Sequence, residues 1–374
     1  MKLGEEKGNI LRLLFVSSDR NLLSAAVGLF LIGLFSIFSA SLGMEKNAGA
    51  FVVRQAIWGL ISFGAYALVL RIGYLRILDR AYRLYGIALV LLVFVLVMGN
   101  VVRGSQSWIG FAGIRLQPSE VTKVALALLL AKHLCRHPVH GPRDLAGVLA
   151  LSGLSLILVL AQPDLGSAIV LAVMIFTALY AAGTPGRYLL GLSGAALLAM
   201  PVAWHFLKAY QRLRLMVFLN PYVDPLGAGY NVIQSRIAVG SGRLLGKGFM
   251  MGTQSKLGFL PEPHTDFIFS VFAEEFGFLG GIALLALFTL LLWRIVAAGV
   301  KSRDLRGKVL VASIAGWIWF QILEGMAMSM GLAPVTGLPL PFLSYGGSSL
   351  LALGIALGLV QSVVVENPRP DDDS

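Results

Sequence analysis

The sequence predicts an all-α polytopic membrane protein, with ten transmembrane helices, both termini cytoplasmic, and a large extracytoplasmic loop between helices 7 and 8. Three observations carry this. Hydrophobic residues make up 57% of the 374-residue chain and charged residues only 13%, where a soluble domain has about 25% charged residues; mean hydropathy is +0.81. The apolar residues gather into segments near the ~20 residues that a span needs. Lys and Arg concentrate in alternate connections, as cytoplasmic loops require. The chain is thus expected to form a single integral membrane domain over 1–374, with a spanning core at 21–363, an extracytoplasmic loop at 208–267 and a polar tail at 364–374. The net charge of +11 is assigned to topology and anionic lipid contact, not to nucleic acid. Cys135 is the single cysteine, which excludes an intrachain disulfide or a Cys cluster for zinc and leaves a buried apolar filler. The first apolar run is a full span with no small-residue cleavage site, so it is expected to stay as a helix and not to be removed as a signal peptide.

In order, the spans fall at 21–41, 52–70, 82–101, 119–135, 145–161, 165–182, 188–207, 268–293, 308–330 and 344–363. With the N-terminus inside, the inner segments hold Lys2, Lys7, Arg12 and Arg20; Arg71, Arg76, Arg80 and Arg83; Lys132, Arg136 and Arg143; Arg187; Arg294, Lys301, Arg303, Arg306 and Lys308; and Arg369. The short outer loops hold only Lys46, Arg54, Arg103 and Arg115. The 208–267 loop departs from this pattern with Lys208, Arg212, Arg214, Arg236, Arg243, Lys247 and Lys256. Long loops cross largely regardless of charge, so the orientation stands. Two readings of that charge remain open: a solvated loop touching anionic headgroups, or a site for a phosphate-bearing substrate, with Arg212, Arg243 and Lys247 as candidates. Within the loop, YNVIQSRIAVGSG resembles an amphipathic helix on the membrane surface, and five glycines between Gly240 and Gly252 favour tight turns.

The stretch LGFLPEPHTDFIFSVFAEEFG, 257–277, organises the rest. Pro261 and Pro263 break any preceding helix. Thr265 or Asp266 can cap the next one. Asp266 is therefore either a cap or a general base at the membrane surface; His264 either tunes it, contacts substrate or is simply solvated. Glu274 and Glu275 lie about 12–14 Å deeper along the helix at 1.5 Å per residue. Two adjacent carboxyls in a span project in different directions, so at least one should meet a cation or water, in an ion pair or in a proton or ion path.

Three further stretches stand out. In RGSQSWIGFAGIRLQPSEVTK, 103–123, Pro118 and Glu120 mark a helix start. Glu120 and Lys123 share a helix face at i, i+3, either as a local pair or with Lys123 pointing into a central cavity. Trp108 is an interface anchor, a sugar-stacking ring or packing beneath the loop. Asp164 in QPDLG suits a cap for the following helix. In APVTGLPLPFLSYGGSS, 333–349, prolines and the Gly346-Gly347 pair break helices at the outer face, and Ser344 or Tyr345 could donate hydrogen bonds. Irregular backbone at membrane depth survives only against protein or water, so this stretch is expected to line the cavity of Asp266.

Together GSQSWI, LQPSEVTK, QPDLG, LPEPHTDFIFSVFAEEFG and PVTGLPLPFLSYGGSS, in this order and spacing, resemble the SEDS family (FtsW, RodA and SpoVE), and within it the elongation branch, RodA, more than the division branch. The resemblance covers nearly the whole chain. One departure is visible: where relatives carry an Asn-Ile-Gly-Met run before PVTG, this chain has Gly325, Met326, Ala327 and Met328, preceded by Glu324. The resemblance implies a peptidoglycan glycosyltransferase of the bacterial cytoplasmic membrane, acting on lipid II and releasing undecaprenyl diphosphate during elongation. Asp266 matches the family's essential aspartate, and Glu120 and Lys123 match residues of a central cavity. Implied partners are a class B penicillin-binding protein, which cross-links the glycan, and other elongation-complex proteins. A lipid II flippase using a polar track through Glu120, Lys123, Glu274 and Glu275, or a scaffold for the transpeptidase, are the alternatives. No cofactor is demanded; a divalent cation, magnesium or manganese, could be shared by Asp266 and diphosphate, though no second ligand is near it in sequence.

Overall fold

A computed structural model describes residues 19–42, 48–102, 105–111 and 114–366. The charges at Lys2, Lys7, Arg12, Lys46, Arg103 and Arg369, and the tail from 367, lie outside the described residues.

The helices are α1 Arg20–Ser41, α2 Ala48–Ile72, α3 Tyr74–Leu78, α4 Ala81–Met98, α5 Pro118–Arg136, α6 Pro142–Ala161, α7 Leu165–Ala181, α8 Gly186–Phe206, α9 Ala209–Leu219, α10 Ala228–Ser241, α11 Thr253–Lys256, α12 Ile268–Lys301, α13 Leu305–Met330 and α14 Gly347–Val365. Seven of them, α1, α2, α4, α6, α12, α13 and α14, are long and apolar enough to cross a membrane. α7 and α8 are apolar but shorter by that measure, and α5 carries Glu120, Lys123, Lys132 and Arg136. Each expected span has a helix within a few residues of its bounds.

Burial sorts the helices. The apolar windows of α13 and α14 are each 78% buried, against 22–28% for α2, α4, α6 and α12, so α13 and α14 form the centre and the others present exposed apolar faces. α13 packs on α5, α7 and α12, and α14 packs on α2. Gly354 and Gly358 of α14 let that backbone approach Ser62 and Tyr66 of α2, the small-residue packing of membrane helices. α5 is central despite its charges: almost every residue from Pro118 to Leu134 is buried. Asp19 caps α1 through Asn21 and Leu22, pairs with Arg294 of α12, and its main chain exchanges hydrogen bonds with the Gln361 side-chain amide of α14, pinning three helices at one end.

Four expectations are corrected. The connection after α4 is a three-stranded antiparallel sheet, β1 Asn100–Val102, β2 Ser105–Phe111 and β3 Ile114–Leu116, so the fold is not purely helical. SQSWIGF is too short and too polar to span, and its backbone is satisfied by pairing. The 208–267 segment holds α9, α10 and α11, and α10 lies on protein and not only on a membrane surface: Gly229, Val232, Ser235 and Ala238 are buried, and Ser235 bonds to Ser270 of α12 and Ser329 of α13. Cys135 is half-buried, not a core filler. Neither Thr265 nor Asp266 caps α12; its cap position is Phe267, which offers no side-chain oxygen.

Candidate functional site

The site is built where α12 is broken. Gly277 has φ +65° and ψ −163° inside the helix, a backbone region that essentially only glycine enters. The break exposes main-chain groups, and the glycine-rich loop 242–248 satisfies them. Phe278 N–H donates to Arg243 O at 2.8 Å and Leu279 N–H to Leu244 O at 3.1 Å, while Lys247 and Gly248 N–H groups donate to the carbonyls of Glu274 and Glu275. A Cβ on Gly246 would sit 2.1 Å from Glu275 O, so the loop can dock only as glycine. α12 therefore consists of a short N-terminal piece, 268–276, set on the longer apolar piece beyond Gly277. Glu274 and Glu275 belong to the short piece, not to the middle of a span.

Glu274 is fully buried. Its carboxylate accepts from Lys247 Nζ at 2.7 Å, Thr253 N–H at 2.9 Å, Thr253 Oγ1 at 3.0 Å and Gln254 N–H. It clamps the basic loop onto α12, and Lys247 is the cation expected to meet one of the two adjacent carboxyls. Glu275 turns the other way and accepts from Ser39 of α1.

At the head of this short piece, Asp266 lines a cavity of about 370 Å³ with Arg214, Phe218, Asn231, Glu262 and Val335, at the lower end of small-molecule pocket sizes. The wall is assembled from α9, α10, the PEPHTD turn and the stretch before α14. Ser344 Oγ donates to Thr265 O at 2.7 Å and accepts from Leu340 N–H, and Tyr345 N–H donates to His264 O at 2.9 Å. A Cβ on Gly337 would lie 3.9 Å from Asp266 Oδ2. The 333–349 stretch thus lies against the Asp266 turn.

A family model described as "Cell cycle protein", built on FtsW, RodA and SpoVE, matches residues 20–368. The chain belongs to the FtsW/RodA/SpoVE family. It is 40% identical over 307 residues to the peptidoglycan glycosyltransferase MrdB of Escherichia coli K12, covering 80% of this chain and 83% of that protein. It is 35% identical over 361 residues to the probable peptidoglycan glycosyltransferase FtsW of Geobacter sulfurreducens, covering 92% and 94%. Among solved structures, a chain of a peptidoglycan synthase complex coordinating polymerization and crosslinking superposes with TM-score 0.81 at 33% identity, over 95% of this chain and all of that one. Thermus thermophilus RodA superposes with TM-score 0.72 at 30% identity, over 95% and 99%.

In this FtsW/RodA/SpoVE fold the candidate residues separate into groups. Glu120 and Lys123 pair at 2.7 Å, both buried, and Lys123 Nζ lies 4.8 Å from the Trp317 ring centroid on α13. Asp164 caps α7 through Ser167 N–H and accepts from Gln117. Trp108 is half-buried in β2 opposite Asn100. His264 is buried, its ring 4.6 Å from Phe51 and 5.6 Å from Tyr345, which makes it a clasp behind Asp266. Arg212 donates to the carbonyls of Trp204 and His205 at the end of α8; Arg243 is exposed and joins the site through its carbonyl; Lys247 is held by Glu274. The four charges of the supposed polar track have separate partners: Glu120 with Lys123, Glu274 with the loop, Glu275 with α1.

Sequence reasoning missed Arg214 and Glu324. Arg214 stands two residues beyond Arg212 on α9, so it faces the cavity wall, where Nη1 donates to Val335 O. Tyr210 packs beneath it; burial and the Asp164 carboxylate push its phenol above the usual range while Arg214 pulls it down. Glu324 is 5% exposed inside α13, and the rule that singled out Glu274 would have found it.

Proposed function

We propose that this chain polymerises lipid II into glycan strands at the outer face of the bacterial cytoplasmic membrane, for cell elongation and shape maintenance. In this reading the chain crosses ten times with both termini inside, and the α9–α11 segment and Asp266 lie on that outer face. The observation that carries the reading is the cavity where Asp266 faces Arg214 and Asn231, above helices whose exposed apolar faces suit a polyprenyl tail. Relatives named peptidoglycan glycosyltransferases support it.

Asp266 takes the proton of the acceptor's GlcNAc 4-hydroxyl as that oxygen attacks C1 of the donor's MurNAc. The C1–O bond breaks, and undecaprenyl diphosphate departs with the electron pair. Arg214, whose guanidinium offers paired donors, offsets charge on the diphosphate. Among the described residues no group of three or more His, Cys, Asp or Glu side chains is placed to hold a metal, so a magnesium or manganese ion at Asp266 would draw most of its ligands from diphosphate and water. A class B penicillin-binding protein is the partner expected to cross-link the product, docking on the outer segment and neighbouring spans.

The test uses the purified chain with its cognate transpeptidase and lipid II. Asp266→Asn keeps the shape and removes the base. Glycan synthesis should fall at least ~100-fold with an unchanged thermal midpoint; undiminished glycan would move the base elsewhere.

A further inference from the structure

The loop that meets the break in α12 is apolar as well as glycine-rich. Between Arg243 and Thr253 it reads LLGKGFMMG. Leu244, Leu245 and Met251 are 65%, 77% and 64% exposed, and Phe249 is exposed too. So many large apolar side chains in one short loop mark a contact surface. Continuity, depth and the fate of the loop's polar groups say what covers it.

On one side the loop joins α1. Val27, Leu31 and Phe35 recur every fourth residue and are all exposed, so they form one apolar stripe. Phe249 packs edge-on against Phe35, the last of them, with ring centroids 6.1 Å apart. On the other side the carbonyls of Arg243 and Leu244 hold the N–H groups of Phe278 and Leu279. Those two side chains are exposed and head a second stripe that runs on through Ile282 and Leu285. The loop thus lies across the ends of the bare stripes of two helices long and apolar enough to cross a membrane. It also lies below the end of α1. That helix has 22 residues, about 33 Å at 1.5 Å per residue, close to the ~30 Å hydrocarbon core of a bilayer. Phe35 comes six residues before its end at Ser41, which puts Phe249 about 9 Å inside that length.

Irregular backbone at such a depth survives only when protein satisfies it, and here protein does. Lys247 and Gly248 N–H groups donate to the carbonyls of Glu274 and Glu275, and those of Gly246 and Met251 donate to Gly242 O and Gly248 O within the loop. Lys247 is the single polar side chain from Leu244 to Met251, and Glu274 holds it at 2.7 Å. A loop lying in water could leave these groups to solvent. A protein-docking loop would keep a polar side chain to fix its partner's orientation.

We infer that 244–251 is a membrane-inserted wedge, whose Leu244, Leu245, Phe249 and Met251 side chains enter the acyl chains of the bilayer beside α1 and α12. The exposed Arg243 stays at the headgroup level. The wedge fixes the level of the Gly277 break in the bilayer, and with it the short piece that has Asp266 at its head. Neither the insertion nor its depth depends on which reaction the cavity performs.

The test reads depth directly. Cys135 is the single cysteine, so Cys135→Ser gives a background in which one nitroxide at a time is placed through Leu245→Cys or Met251→Cys in the wedge, Ile282→Cys on the α12 stripe, or Arg303→Cys in the connection to α13. The full chain is placed in phospholipid nanodiscs, alone and with its cognate transpeptidase. Collisions of the label with oxygen, which concentrates among acyl chains, are compared with collisions with a neutral water-soluble nickel chelate. The oxygen-to-nickel ratio at Leu245 should fall within about twofold of that at Ile282 and roughly tenfold above that at Arg303, because the polar chelate is excluded from hydrocarbon. A ratio nearer that of Arg303 overturns the inference and places the loop in water. Loss of both collisions, with the transpeptidase or without it, overturns it as well, since protein then covers the surface. If Leu245→Cys fails to fold, Met251→Cys decides by the same criteria.

Discussion

Replacing Glu274 with glutamine should open the glycine-rich loop without dismantling the bundle. Glu274 is fully buried and Lys247 is 28% exposed. Breaking a fully buried pair costs about 3–5 kcal/mol. The partial exposure of Lys247 and the bonds that glutamine can still accept from Thr253 and Gln254 bring this to roughly 2–3 kcal/mol. Opening is local, because the loop is tied to α12 chiefly by this carboxylate and by the main-chain exchange around Gly277. When opening is fast relative to cleavage, proteolysis follows the open population, so 2–3 kcal/mol becomes about a 30- to 150-fold faster cut. The assay is limited trypsinolysis in detergent, following cleavage after the exposed Lys256, with thermal denaturation in parallel. A change below about threefold would refute the idea that this clamp closes the loop.

Two further outcomes are expected. Arg214→Gln should lower glycan synthesis at least ~10-fold by removing the cavity's guanidinium, while Arg212→Gln, whose target is the end of α8, should stay within about twofold; equal losses in the lipid II assay would return the site to solvated loop charge. Tyr74, in the short α3 outside the spans, donates to Asp304 at 3.1 Å, and burial, then the Asp304 carboxylate, push its phenol well above its usual range. Its folded value is raised, so its stabilisation is fully present below about pH 10 and is lost as pH rises further. The thermal midpoint gap between parent and Tyr74→Phe should therefore narrow above about pH 10; a constant gap would contradict it.

Helix positions were legible because apolar length is a local property: each expected segment has a helix near it, seven of them long and apolar enough to cross a membrane. The bend in α12 was partly legible. The glycines of 240–252 announced close approach, but nothing local to Gly277 said that the loop would be the partner. The sheet at 100–116 escaped because the apolar run 82–101 masked its first strand. The site was half legible. Asp266 stood out from its prolines and its place before an apolar run. Arg214 did not, because two residues' difference along α9 reverses the face presented, and only the packed bundle says which face meets Asp266. Glu324 was visible as a charge in a span, yet only the fold shows that it holds Thr336 of the stretch that meets the Asp266 turn.

By itself, the sequence determined that the chain is a bundle of apolar helices with a basic segment at 208–267 and a carboxylate, Asp266, where that segment meets the next helix, because solvation of each segment by lipid or water depends on that segment's own composition. Only the tertiary structure decided which charges pair. Glu274 takes Lys247, Arg212 caps α8, Glu324 takes Thr336, and Arg214 shares the cavity of Asp266. Those choices depend on distances between side chains far apart in sequence, and a buried charge is held by whichever partner the fold brings within reach.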